Sequence, residues 1–590
     1  MSRISILFAT FLVCLQPLNG SADKPIYTIA PTTYVPEYQQ FDVNRIWNYF
    51  SNIGELTTCR VTGNAGLYWP GGSASTAIFQ SGLWIAGKVD GEIRTAAVEY
   101  SSEFLPGKVK YDSVGAMQPG IADDPSALRY KIYVIKYGDT SDRTSPNFNS
   151  DYLNWPISDG APGHDGEYFI DFNNNGAYNE TETFEDFNRN GQYDPPDGVI
   201  IEGQDPPRHI GDRTYWYVCN DLDEETHEML WHTEPLYLEV QTTMWGFNTS
   251  LTQDIMYVKW LIVNKSGKTI EDAYFSIWSD PDIGDAHDDY IGCDTSLGLG
   301  YCYNGDADDQ IYGYTPPCVG YELIQGPIVP SIGDSILFAG NWLSNYKNLS
   351  MTSFLKYSCG SIEYTCPDKA QEAYYNMSGM TISGNNWFDP DSEITKFLYP
   401  GDPVTRQGHT EFDDDTPGDR YFLLSSGPFD MPSWQDLNQN GSPEVGEPGV
   451  QKIVCAVLIG QGSNNLNSIT VMKNLLKTAT YFYSEQDDIY QSDIHHPTDD
   501  MIPVNFRFDS AHPNPFNPAT TFRYQLPEQA LVEISAYNLL GQEVKRLVRE
   551  QKPAGKYSIV WNAENLPSGI YLIRMTAGDF HEVQKCVLLK

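Results

Sequence analysis

Three short windows of this chain space their oxygen-bearing side chains identically, and that spacing dictates a backbone path. Asp171, Asn173, Asn175, Asn179 and Glu182 stand at positions 1, 3, 5, 9 and 12 of the first window. Asp186, Asn188, Asn190, Asp194 and Asp197 fill the same positions in the second, and Asp436, Asn438, Asn440, Glu444 and Glu447 in the third. Position 6 is Gly176, Gly191 or Gly441, and position 7 (Ala177, Gln192 or Ser442) offers its carbonyl. A chain spaced this way wraps around a hard cation: alternate oxygens turn inward, glycine takes the sharp bend and the twelfth carboxylate closes the cage. Solvated Asx turns are the bland alternative; three windows that all end in an acid favour Ca2+. Glu167–Ile170 reads as a strand entering the first window, and Pro195-Pro196 interrupts the second. The loops are therefore expected to staple structure without a helix-loop-helix lever, with affinities of roughly 10⁻⁴ to 10⁻³ M.

Charge divides the chain. There are 78 acidic residues against 37 basic ones, a net charge of -41, yet residues 506–590 hold ten basic and eight acidic residues. The acidic field argues against a nucleic-acid partner, which needs a basic footprint. Apolar content of 41%, with 13% aromatic residues, is too high for an acidic disordered chain. With 49 Gly, 38 Pro and 39 Tyr, short strands and turns are favoured over long helices. The expected fold is mainly β: multi-domain antiparallel β-sandwiches with calcium-binding loop insertions, one amphipathic helix near 467–483 and a C-terminal Ig-like sandwich.

The expected division is 1–22 signal peptide, 23–235 N-terminal β-rich domain, 236–485 β-sandwich domain, 486–505 linker and 506–590 C-terminal domain. The signal rests on Arg3, the apolar run Ile4–Leu15 and the small residues Gly20-Ser21-Ala22. No later run has the near-20 apolar residues of a transmembrane helix. Nine cysteines follow the signal, an odd number. Cys359 and Cys366 could close a hairpin, one pair is possible among Cys293, Cys302 and Cys318, and the rest read as buried thiols.

Within the acidic part, 236–247, 254–264 and 273–278 read as strands, the last two joined by Lys265-Ser-Gly-Lys268 as a hairpin or as a pair across a sandwich. A helix capped by Asn467 or Ser468 buries Ile469, Met472, Leu475, Leu476, Ala479 and Phe482. Asp280, Asp282, Asp285, Asp288, Asp289, Asp294, Asp306, Asp308 and Asp309 crowd one zone without fixed ligand spacing, a possible fourth Ca2+ site or a solvated loop. Glu411–Asp415 is expected to be solvated. Trp69, Trp84, Trp245 and Trp260 are expected mostly in the core. His227-Glu228 and His232 miss the spacing of a zinc protease by one residue, and no GxSxG or phosphate-binding glycine loop occurs.

In the last 80 or so residues, His512-Pro-Asn-Pro-Phe-Asn-Pro518, Tyr537-Asn-Leu-Leu-Gly-Gln542, Leu566-Pro-Ser-Gly-Ile-Tyr571 and Lys590 occur in order. They resemble the type A C-terminal sorting domain of the type IX secretion system. The resemblance implies export across the outer membrane of a Bacteroidetes-like bacterium, with the secretion machinery as the tail's partner. Gly66-Leu-Tyr-Trp-Pro-Gly-Gly72, Ser81-Gly-Leu-Trp-Ile85, Glu103-Phe-Leu-Pro-Gly107, Trp278-Ser-Asp-Pro-Asp-Ile-Gly-Asp285, Gly292-Cys-Asp-Thr295 and Leu424-Ser-Ser-Gly-Pro-Phe429 resemble a recurring class of Bacteroidetes- or Ignavibacteria-like surface proteins with this tail and no assigned reaction.

The expectation is a secreted, calcium-stabilised structural or adhesive protein of the cell surface or medium, with self-assembly or a surface glycan as possible partners. The rivals are a secreted hydrolase of polysaccharide or protein, whose paired carboxylates no sequence spacing can reveal, and a glycan-binding module.

Overall fold

The computed structural model describes residues 34–58, 60, 63–110, 119–136, 151, 210–227, 229–338, 341–357, 365–435, 437, 443, 446–488 and 507–508, and all of 516–588 except 517, 527–529, 539–541, 553–554, 564–565 and 579. The expected signal peptide lies outside these residues. The chain separates into two compact units, Met1–Asp493 and Ile494–Lys590.

The strands that build the two largest sheets of the first unit are, in chain order, β1 (Glu55–Thr57), β2 (Gln80–Val89), β3 (Glu92–Ala97), β4 (Leu105–Pro106), β5 (Tyr133–Lys136), β6 (Arg213–Asn220), β7 (Leu238–Gly246) and β8 (Ile255–Asn264). They continue with β9 (Ile270–Asp280), β10 (Asp289–Asp294), β11 (Leu299–Asn304), β12 (Cys318–Gln325), β13 (Ser353–Tyr357), β14 (Tyr421–Met431) and β15 (Val450–Gly460). One antiparallel sheet runs β5-β6-β7-β8-β15-β12-β11-β10, with β4 beside β6; the other runs β13-β14-β9-β2-β1, with β3 beside β2. Nearly every position of β7, β8, β9 and β15 is buried. Such strands are covered on both faces; β15 reads as a mostly apolar run, whereas β7 buries Glu239, Gln241, Thr242 and Thr243 among its apolar residues.

The two sheets share one core, and aromatic side chains bridge them: Trp260 on β8 meets Phe275 on β9 at 5.4 Å, and Tyr321 on β12 meets Phe422 on β14 at 5.8 Å. Helix α1 (Ala370–Met377) covers the outer face of the smaller sheet, where Trp84, Trp231, Trp278 and Tyr374 form a second cluster. Helix α2 (Asn465–Asp488) covers the outer face of the larger sheet, buries Ile469, Met472, Leu476, Ala479 and Phe482, and leaves Leu475 half-buried. Its cap is Asn464, whose Oδ1 accepts the Asn467 N–H at 2.8 Å; the expected caps Asn467 and Ser468 lie inside the helix. A helix axis can come this close to a sheet only over glycine: a Cβ on Gly460 would lie 2.2 Å from the Met472 nitrogen.

One expectation about organisation is corrected and another is narrowed. The division at 235/236 falls in the connection between β6 and β7, which pair along their length from Arg213–Gly246 to Asn220–Glu239, so the two expected domains are one body. Of the two readings of the Lys265–Lys268 turn, the pair across a sandwich holds and the hairpin does not: β8 belongs to the larger sheet and β9 to the smaller, so the chain crosses the core there.

The second unit packs β16 (Arg507–Phe508), β17 (Ala519–Leu526) and β20 (Gly555–Asn562) in one sheet, with β18 (Ala530–Tyr537), β19 (Glu543–Lys552), β21 (Gly569–Ala577) and β22 (Phe580–Leu588) in another. Phe522, Ile534, Trp561, Ile573 and Cys586 meet in a core of their own.

Candidate metal centre

The most concentrated carboxylate group among the described residues forms where β9 leaves the smaller sheet. Asp280, Asp282 and Asp419 each place one oxygen within 4.8 Å of the others. Asp280 ends β9 and is fully buried; its backbone carbonyl accepts the Phe79 N–H at 2.8 Å, and its Oδ2 accepts the Tyr100 hydroxyl at 2.7 Å. Asp282 and Asp419 are half-buried, which leaves the group open to water on one side. The register of β9 on β14, with Ser279 opposite Phe422, brings Asp419 there. Nothing local to Gly418-Asp419-Arg420 distinguishes it from the acidic run before it, and sequence reading passed it over.

Asp289, the first residue of β10, stands next to the group. It is fully buried; its Oδ2 accepts the Ile283 N–H at 3.0 Å and its carbonyl accepts the Gly418 N–H at 3.0 Å, tying it to the segments that carry Asp282 and Asp419. Its Oδ1 meets no donor, and neither does the buried Oδ1 of Asn304, its partner across the strands. Burial holds Asp289 well above the usual carboxylate range; the Ile283 N–H pulls the other way, while Asp282, Asp288 and Asp309 push it further up.

The rest of the acidic zone separates by local bonding. Asp309 is buried and accepts three backbone N–H groups, from Asp285, Ile311 and Tyr312. Asp294 pairs with Lys473 at 2.8 Å, and Asp285 accepts from His287 at 2.8 Å. Asp306 caps its own turn through the Asp308 N–H.

Of the three repeated windows, Asp171, Asn173, Asn175, Ala177, Asn179, Glu182, Asp186, Asn188, Asn190, Gln192, Asp194 and Asp197 lie outside the described residues, as do Asp436, Asn438, Asn440, Ser442 and Glu444. Glu447, twelfth in the third window, is described. It is buried; its Oε1 accepts the Leu437 N–H at 2.8 Å and its Oε2 accepts the Trp434 indole N–H at 2.8 Å. The last residue of the window thus folds back onto the second, and the Gln435 N–H reaches the Pro448 carbonyl at 3.1 Å to close the base.

In the C-terminal unit, the expected motifs meet in space. Phe516 packs its ring 5.3 Å from Trp561, which stands 5.4 Å from Tyr571, and the Tyr571 hydroxyl donates to the Pro567 carbonyl. The turn after β18 is tied by Asn538, which takes the Gln542 N–H on its side chain at 3.0 Å. Residues 510–589 match the family model described as a secretion system C-terminal sorting domain. The tail is a type IX secretion sorting domain. The protein that carries this sorting domain is secreted, to the cell surface or beyond it, and the sorting domain is its contact with the secretion machinery. No curated protein matches the chain. Among the described residues no helix is long and apolar enough to cross a membrane.

Several other titratable groups in the body of this exported protein are buried. His227 is buried between Glu103, 3.7 Å from Nδ1, and Asp221, 3.6 Å from Nε2. Burial lowers His227 to about 4 and raises Asp221 to about 7. Glu411, expected in solvent, is fully buried: its Oε1 takes Lys356 and Arg420 at 2.7 Å each, and its Oε2 takes the Ile291 N–H. The run only looks solvated in sequence because its two cations come from elsewhere. Cys293, Cys302 and Cys318 are buried free thiols on three neighbouring strands, so the pair considered among them does not form. Cys366 is disulfide-bonded, and Cys359 lies outside the described residues. Trp69, Trp84, Trp245 and Trp260 are all core residues.

Proposed function

We propose that the protein is a non-catalytic structural or adhesive component of the cell surface or extracellular matrix, held rigid by Ca2+ in its three Asp-x-Asn-x-Asn-Gly windows. The observation that carries this reading is the sorting domain at residues 510–589. It is attached to a body many of whose large aromatic side chains are buried in its core. Among the described residues, the imidazole flanked by two carboxylates, the arrangement nearest to an acid–base centre, lies with Glu103 and Asp221 beneath the surface and beyond a substrate's reach. The closed base of the third window supports the calcium part, because Glu447 folds back to accept the Leu437 N–H and so brings the last residue of the window to its start.

Purified full-length protein with and without calcium, incubated with a polysaccharide and protein panel and imaged for assemblies, tests the reading. Calcium-dependent assembly or adhesion without turnover is expected. Hydrolysis of any panel member would replace this reading with the secreted-hydrolase one. Calcium at about 1 mM should also protect 165–205 from proteolysis, and equal cleavage in chelator would remove the staple.

A further inference from the structure

We propose that Asp280, Asp282 and Asp419 bind one divalent cation of the calcium class beside Asp289, and that this ion locks the crossing between the two sheets of the body. The site is separate from the three repeated windows and does not depend on them.

Size comes first. Ca2+ binds oxygen at about 2.3–2.6 Å, so opposed ligands in one coordination sphere stand roughly 5 Å apart. Three carboxylate oxygens within 4.8 Å of one another fit inside such a sphere. Chemistry comes second. The donors are carboxylates, hard oxygen ligands that suit Ca2+ and not the imidazole and thiolate preferences of zinc. Mg2+ demands a near-ideal octahedron and gives up its water reluctantly, whereas three side chains from two separate segments form an irregular set that the larger ion accepts. Two of the three are half-buried, which leaves room for completing waters and a way in.

Asp289 supplies the independent observation. Its Oδ1 is buried and meets no donor, while its Oδ2 and its carbonyl are tied to Ile283 and Gly418, the neighbours of Asp282 and Asp419. Asn304 adds a second buried oxygen without a donor directly across the strands. Buried acceptors with nothing to accept are rare in folded proteins, and a bound ion is one of the accepted causes. Topology then gives the site a consequence. Asp280 ends β9 in the smaller sheet, Asp289 opens β10 in the larger, and Asp419 precedes β14. An ion there pins the end of β9 to the segment before β14, next to Asp289 at the point where the chain passes between sheets.

The test uses the full-length chain, stripped with chelator and re-equilibrated with calcium. D282N/D419N is made alone and in a D171N/D186N/D436N background that disables the repeated windows. Metal analysis should find one calcium fewer per chain for D282N/D419N in both backgrounds. Tb3+ bound at the site should show emission sensitised by Tyr100, and D282N/D419N should abolish it. Removing like charges should raise the melting temperature of the metal-free protein while the increment given by calcium shrinks. Unchanged calcium content, or an equal loss of melting temperature with and without calcium, would overturn the proposal. So would preference for Zn2+ over Ca2+. If the windows bind nothing, the D171N/D186N/D436N background behaves like the parent and the site is still read out by itself.

Discussion

Glu411 shows how far a single side chain can depart from its sequence neighbourhood. It sits in an acidic run yet is fully buried, with Lys356 and Arg420 on one oxygen. Removing one partner of a buried ionic group leaves the others uncompensated, at a cost of about 3–5 kcal/mol. Glu411→Ala is therefore expected to destabilise the body by about that much in urea titration, and a loss within ordinary surface scatter would contradict the network. Glu322 offers a pH-dependent counterpart. Burial raises its carboxyl from 4.5 to about 8, against a single hydrogen bond from Thr480. A raised folded value means that the native state holds the proton longer. The stabilisation is thus fully present below 4.5 and is lost as pH rises through about 8. Glu322→Gln, neutral throughout, should melt at a higher temperature than the parent at pH 8 and with little difference near pH 4; equal behaviour at both would place Glu322 in water.

At the scale of elements, α2 illustrates what local pattern can and cannot specify. The spacing of Ile469, Met472, Ala479 and Phe482 marks the buried stripe correctly, because a stripe of this period has to face a core. It says nothing about which sheet receives it. That choice rests on Gly460 and Gly320, which let the helix settle against β15 and β12. Gly460→Ala should force α2 outward and lower stability by about 1–3 kcal/mol, seen as a fall in melting temperature. An unchanged value would mean that the helix is not seated there. Sheet membership was equally illegible. The strands at 255–264 and 270–280 are plain in sequence, but a four-residue turn serves a hairpin or a crossing between layers, and only packing of both faces separates them.

For the whole molecule, the chain separates into units at Asp493–Ile494, inside the stretch 486–505 expected as a linker before the charge step at 506. The division at 235/236 had no charge step behind it and proved to lie inside one sheet. Because each unit has its own core, calorimetry should resolve two transitions, and the upper or lower one should vanish when 494–590 is deleted without moving the other. A single cooperative transition would deny their independence. In a host with type IX secretion, the same deletion should keep the protein from the cell surface and the medium, measured by fractionation.

Sequence by itself determined the mainly β class, the sorting domain and the position of the amphipathic helix, because period, turn chemistry and short ordered motifs are local properties written along the chain. Tertiary structure alone decided that Asp419 stands beside Asp280 and Asp282, that Glu411 is buried, and that one body replaces two domains. Each of these depends on strand register between distant segments, and electrostatic contact between such segments has no spacing in the sequence that could announce it.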